Sequence, residues 1–273
     1  MIVQNNKEKT PIDIWFKLVN SDLDKDVINK TFKELYRSFK PYSAGLVTTG
    51  ICEYNCSHCI YHPDFSKYNK NISVDNWKVI LKGLYEELGI RIFVHNGRAF
   101  NKDSIKIIEY IRETLPESKI GIIDNGLTLY PYIDQLKHVY PDWIDISIDG
   151  MEIEHDTQRN KKGVFTKAVN AILDIKKSKI SSKLSVLTCL TSINVESILE
   201  MILFFNEKGI HNFFISPVSV LKNQRPSEAL KVDKITFNRL IERIFKKLSD
   251  LNNVFIEISI FDPDYLTLLS EEN

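Results

Sequence analysis

No stretch of this 273-residue chain approaches the roughly 18 consecutive apolar residues of a membrane span, and the opening MIVQNNKEKT lacks the apolar core of a secretory signal. The expectation is a cytoplasmic protein without a membrane partner. Net charge is missing too: Lys plus Arg and Asp plus Glu each number 36. No global basic field favours nucleic acid, so the expected partner is a small molecule or a peptide. Cysteine is scarce, at four residues. That is no secreted disulfide framework, and a reducing compartment leaves such thiols free to bind metal. No low-complexity linker divides the chain. What is present, 43% hydrophobic and 26% charged residues, suffices for one large α/β domain or two small ones.

After a polar start, PIDIWFKLVNSDLDKDVINKTFKELYRSFKPY has apolar residues at helical spacing and closes at Pro41. From there short apolar runs alternate with longer amphipathic stretches. The runs are AGLVTT (44–49), RIFVH (91–95), KIGIID (119–124), WIDISID (143–149), KLSVLTCL (183–190) and NFFISPV (212–218). A last run, VFIEISIF (254–261), offers one strand more. Repeated βα units predict a parallel sheet with right-handed crossovers, either barrel-like or doubly wound.

Three of the four cysteines fall in CEYNCSHC, with spacing Cys52-x3-Cys56-x2-Cys59. A disulfide would leave one thiol over. Three thiolates can instead take three corners of a cubane iron–sulfur cluster and leave the fourth iron open. The alternative is zinc, because His62 follows at zinc-finger-like spacing and His58 lies between the thiols. The cysteines come directly after the first strand, on the side of a parallel sheet where ligands gather, and a closed structural zinc site is not expected there.

The cysteine spacing resembles the signature of the radical S-adenosylmethionine superfamily, and the resemblance runs from about residue 44 to 220. It implies an α/β fold, an incomplete (β/α)6 TIM-like barrel over residues 44–250. A helical extension (1–43) precedes it, and a strand and tail (251–273) follow. It also implies that Cys52, Cys56 and Cys59 hold a [4Fe-4S] cluster whose open iron chelates S-adenosylmethionine. An electron from a reductant such as flavodoxin or ferredoxin then releases a 5′-deoxyadenosyl radical, which abstracts hydrogen from the substrate. ISIDGMEIEHDTQRNKKGVF (146–165) is similar to the fourth-strand motif of the branch that modifies peptides and builds natural products. By that likeness Ser147, Asp149 and Arg159 are expected at the cofactor, with Ser147 meeting its carboxylate or ribose and Arg159 pairing with the carboxylate. A helix-capping reading of His155, Asp156 and Arg159 stands beside it. IIDNG adds Asn125, and the fifth and sixth strands add Asn194 and Pro217, near ribose and adenine. His58 replaces a residue that is often aromatic in the family and can still stack on adenine.

The second strand departs from the family pattern. Where Gly-Gly-Glu-Pro is usual, this chain has HNGRAF, keeping Gly97 and placing Arg98 where the acid would be. An arginine accepts no hydrogen bond from the methionine ammonium, so backbone carbonyls around 94–96 are expected to replace the acid. Arg98 near His95 and Asp124 suggests a positive barrel mouth, and these three are the candidates for substrate chemistry. An anionic small molecule is the expected substrate, with an acidic peptide next. No cysteine follows Cys189, so the branch's cysteine-rich extension is not expected, and Cys189 itself reads as core filler rather than a hydrogen-atom donor.

Overall fold

A computed structural model describes residues 41–60, 72–96, 99–220, 226–248, 251 and 253–259. The chain divides into two compact units, 1–42 and 43–273, and every element below lies in the second. Residues 1–40 of the expected helical extension, His62, Gly97, Arg98 and the end of the C-terminal tail lie outside the described residues.

Strands and helices alternate from β1 (Ser43–Leu46) through α1 (Val74–Glu86), β2 (Ile92–Asn96), α2 (Lys102–Thr114) and β3 (Lys119–Asp124). After a 3-10 turn at Tyr130–Tyr132 come α3 (Ile133–Val139), β4 (Trp143–Ser147), α4 (Glu152–Arg159) and α5 (Val164–Ser178). Then follow β5 (Lys183–Leu190), α6 (Ile198–Glu207), β6 (Asn212–Pro217), α7 (Lys234–Leu248) and β7 (Phe255–Ile258). The first strand is shorter than the apolar run suggested. The helices start where the sequence can satisfy their free N–H groups: at α2, Asn101 accepts from the Asp103 and Ser104 amides, and Ser104 returns a bond to the Asn101 amide.

The seven strands pair in chain order, every pair parallel, and β7 joins β6 without closing onto β1. With right-handed crossovers, this order puts the connecting helices on one face of the sheet. The sheet curls around its other face into an open partial barrel, as expected. The helix-facing residues Phe93, Ile120, Ile122, Ile144, Ile146, Val186, Phe213 and Ile215 are at most 1% exposed and form the main core with the helices. The inner face is more polar and only partly buried, as at Asn96, Ile123, Ser147, Leu187 and Ser216. Low on that face the Trp143 indole lies against Gly121, where any Cβ would collide with the ring.

Candidate functional site

A cavity of about 560 Å³ opens at the C-terminal ends of the strands. One wall is the loop after β1, with Ile51, Cys52, Tyr54, Asn55, Cys56, His58 and Cys59; the strands contribute Asn96, Ile123, Asn125, Ser147, Asp149, Leu187, Cys189 and Ser216. The three clustered cysteines thus share one cavity wall, Cys56 buried, Cys59 half-buried and Cys52 exposed. Among the described residues, no three His, Cys, Asp or Glu side chains converge on a point suited to one metal ion. A cubane places each thiolate on a different iron, so its ligands need not converge.

Behind the cysteine loop stands α4. The amide and hydroxyl of Ser57 both donate to the Gln158 carbonyl, at 2.9 and 3.2 Å, so the loop is tied to the last turn of this helix. The helix ends at Asn160, which takes the left-handed conformation with φ 51°. The Gln158 carboxamide is buried and bonded at both ends: Nε2 donates to the Cys189 carbonyl at 2.8 Å, and Oε1 accepts from Thr191 Oγ1 at 2.6 Å.

Arg159 and Asp149 form a buried ion pair, Nε to Oδ2 2.6 Å, close in distance though outside hydrogen-bond geometry. Asp149 Oδ1 accepts from the Cys189 amide at 3.0 Å. Burial raises the Asp149 pKa, but the Arg159 guanidinium, helped by the Cys189 amide, outweighs it, and the carboxyl is held below its usual range. Arg159 stays charged: burial opposes this, and the Asp149 carboxylate overrides it. One Arg159 amino group lies 4.0 Å from Cys56 Sγ. Burial pushes the Cys56 thiol up to about 11, against the pull of Arg159. His58 Nε2 is 4.0 Å from Asp149 Oδ2, and burial lowers its pKa to about 4, so the ring is neutral near pH 7. His58 Nδ1, Asp149 Oδ2 and Arg159 Nε are buried without a hydrogen-bond partner among the described residues. Three thiols from one loop, with the unpartnered His58 Nδ1 beside them, suit an iron–sulfur cluster and a polar cofactor.

The residues expected from sequence separate into two groups. His58, Asn125, Ser147, Asp149 and Arg159 all line the cavity. His95 and Asp124 do not, which corrects their assignment to the barrel mouth. Both belong to the helix-facing set with Phe93 and Ile122. His95 Nε2 lies 3.1 Å from both Thr48 Oγ1 and Ser104 Oγ, and its ring packs edge-on against Phe100. Burial lowers its pKa to about 4, so it brings no positive charge. The Asp124 carboxylate braces the turn after β3, accepting from the Gly126 amide at 2.7 Å, the Leu129 amide at 3.3 Å and the Thr128 hydroxyl.

Asn194 is also withdrawn from the cavity: it folds onto its own loop, donating to the Cys189 carbonyl and accepting from the Thr191 amide, each at 2.8 Å. Pro217 faces the helices, and Ser216 beside it reaches the cavity. Asp156 fits the capping reading: its carboxylate accepts from the Gly163, Val164 and Phe165 amides at the start of α5. Arg159 does not, because it turns inward to Asp149 and Cys56. Sequence reasoning missed Ser57, Gln158 and Ser216. Only Ser216 left a signal, its period-2 relation to Asn212 and Phe214 on the inner face.

The model of the Radical SAM superfamily matches residues 46–205. The sporulation killing factor maturation protein SkfB of Bacillus subtilis (strain 168) is 27% identical over 144 residues, covering 52% of this chain and 35% of that protein. The molybdenum cofactor biosynthesis protein moc-5 of Caenorhabditis elegans is 28% identical over 127 residues, covering 45% and 21%. The crystal structure of Streptococcus suis SuiB bound to S-adenosylmethionine matches with a TM-score of 0.69 at 14% identity, over 94% of this chain and 62% of that one. SuiB bound to the precursor peptide SuiA gives 0.68 at 15%, over 99% and 59%. The matches thus span less than two thirds of each relative's own length. At these identities the structural likeness shows the fold alone.

Proposed function

Since the chain belongs to the Radical SAM superfamily, we propose that it is a radical S-adenosylmethionine enzyme whose Cys52, Cys56 and Cys59 hold a [4Fe-4S] cluster at the cavity mouth. The observation that carries this reading is the placement of all three thiols on one wall of the cavity at the C-terminal ends of a parallel partial barrel. Bound together and given one electron from an external donor, the cluster and S-adenosylmethionine would supply radical chemistry for taking a hydrogen atom from the substrate. The chain's residues bind and orient. Asn96, Asn125, Ser147 and Ser216 offer neutral donors and acceptors on the inner face. The Asn96 side chain can accept from an ammonium, the task for which the usual acid of the second strand is missing. Neutral His58 offers a flat ring for adenine. The electron comes from a low-potential donor of the flavodoxin or ferredoxin class, and a reducing cytoplasm suits the free thiols.

The substrate is a peptide or a small biosynthetic intermediate. Relatives named for maturing a killing factor, and solved with a precursor peptide, favour the peptide; a relative named for cofactor biosynthesis favours the small molecule. The anionic-substrate expectation loses the support of His95, which is neutral and faces the helices.

The test is anaerobic reconstitution with iron and sulfide, followed by metal analysis and assay of 5′-deoxyadenosine under a strong reductant. About four irons per chain and turnover of the cofactor are expected. Alanine at Cys52, Cys56 or Cys59 should remove both, while His62→Ala should leave iron unchanged. One zinc per chain, lost equally in His62→Ala and Cys59→Ala, would overturn the reading.

A further inference from the structure

Among the buried groups around the cavity, the Arg159 guanidinium has a partner that a role at the cofactor's carboxylate does not explain. Its side chain, 10% exposed, reaches Cys56 Sγ at 4.0 Å. Its Nε is fixed by Asp149, whose side chain is 0% exposed and is itself held by the Cys189 amide. The Cys56 loop cannot easily drift away, because Ser57 next to it is bonded twice to the carbonyl of Gln158, the residue before Arg159. A permanent cation in the cavity wall is therefore held beside one thiol of the proposed cluster.

We infer that Arg159, oriented by Asp149, sets the reduction potential of the cluster by placing a fixed positive charge beside the Cys56 sulfur. The inference rests on the cluster reading above. Reduction adds one electron to the cluster, taken from the external low-potential donor, with no bond made or broken. A nearby cation stabilises the more negative, reduced form and raises the potential; net charge, hydrogen bonds to the sulfurs and solvent exposure are the protein's means of tuning such centres. Burial strengthens the effect, because the low local dielectric screens the charge poorly. The Asp149 carboxylate opposes it, and at the Cys56 thiol its influence ranks below that of Arg159. A guanidinium keeps its proton throughout the working pH range, so this contribution does not vary with pH.

The experiment uses the whole chain, reconstituted anaerobically, with no S-adenosylmethionine present. The EPR signal of the reduced cluster is followed in a redox titration with dithionite as the one-electron donor. Arg159→Gln keeps hydrogen-bond donors but loses the charge. At the wild-type midpoint its ratio of reduced to oxidised cluster should fall about tenfold, which for one electron is 59 mV. Arg159→Lys should recover most of the difference, and Asp149→Asn, which removes the opposing charge, should shift the midpoint upward.

A midpoint unchanged in both Arg159→Gln and Asp149→Asn overturns the inference; Arg159 then serves the cofactor alone, and S-adenosylmethionine affinity is what it moves. If Arg159→Gln fails to retain a cluster, Arg159→Met and Arg159→Lys decide: a lower midpoint in Arg159→Met than in Arg159→Lys supports the inference, and equal midpoints overturn it. A wild-type chain that binds no iron–sulfur cluster is a different failure, which removes the proposed function and this inference with it.

Discussion

The Gln158 carboxamide joins the helix that carries Arg159 to the end of β5, and a double-mutant cycle can measure that joint. Gln158 and Thr191 are both 0% exposed and bonded at 2.6 Å. In Gln158→Leu the Thr191 hydroxyl loses its acceptor in a buried setting, at a cost of about 1–3 kcal/mol. The Cys189 carbonyl suffers less, because it keeps the Asn194 donor at 2.8 Å. The sum is about 2–3 kcal/mol, a fall in Tm of several degrees at about 2–4 °C per kcal/mol for a domain of this size. Thr191→Val leaves Gln158 Oε1 without its donor and removes the acceptor of the Ile193 amide, bonded at 3.2 Å, so a similar loss is expected. Removing both partners together leaves fewer orphans, and the double variant should be about 1–2 kcal/mol more stable than the sum of the singles. Urea unfolding of the four proteins, equally loaded with cluster, supplies the numbers. Strict additivity would refute the idea that the two side chains act as one buried unit. Iron content should be unchanged throughout, because the Ser57 bonds use the Gln158 backbone.

Three further outcomes are expected. Gly121→Ala drives a methyl into the Trp143 indole and should cost about 1–3 kcal/mol by overpacking; an unchanged melting temperature would show that the indole swings away freely. Asp145 lies on the inner face, 7% exposed, and burial raises its pKa from 3.8 to about 6, with Ser185, Lys183 and Trp143 pulling the other way. The native state therefore holds a proton that the unfolded chain has released, so this group's contribution falls as pH rises, by about 1–1.5 kcal/mol between pH 5 and 7.5. Asp145→Asn should remove that slope, and a stability difference between variant and wild type that is flat in pH would count against it. Asp156→Ala strips the start of α5 of the carboxylate that accepts from three amides and should cost about 1–2 kcal/mol, seen as earlier thermal unfolding; no loss would mean that water caps the helix equally well.

Some of this protein is legible in one sequence. The strands β3 and β5 coincide with the apolar runs KIGIID and KLSVLTCL. The βα alternation dictated a parallel sheet, and three cysteines directly after a first strand could only fall at its C-terminal end. Those features are local, carried by the order of residues along the chain. The facing of each strand was not legible, because the inner face mixes apolar residues such as Ile123 and Leu187 with polar ones, which blurs the apolar–polar alternation that would mark it. Hence His95 and Asp124 looked like mouth residues, while their neighbours Asn96 and Asn125 are the ones that reach the cavity. The partners of Arg159 were equally hidden. Cys56 is 103 positions away from it along the chain, and only the docking of α4 against the cysteine loop decided that this guanidinium stands beside a thiol, because a buried charge takes its partner from whatever the fold packs around it.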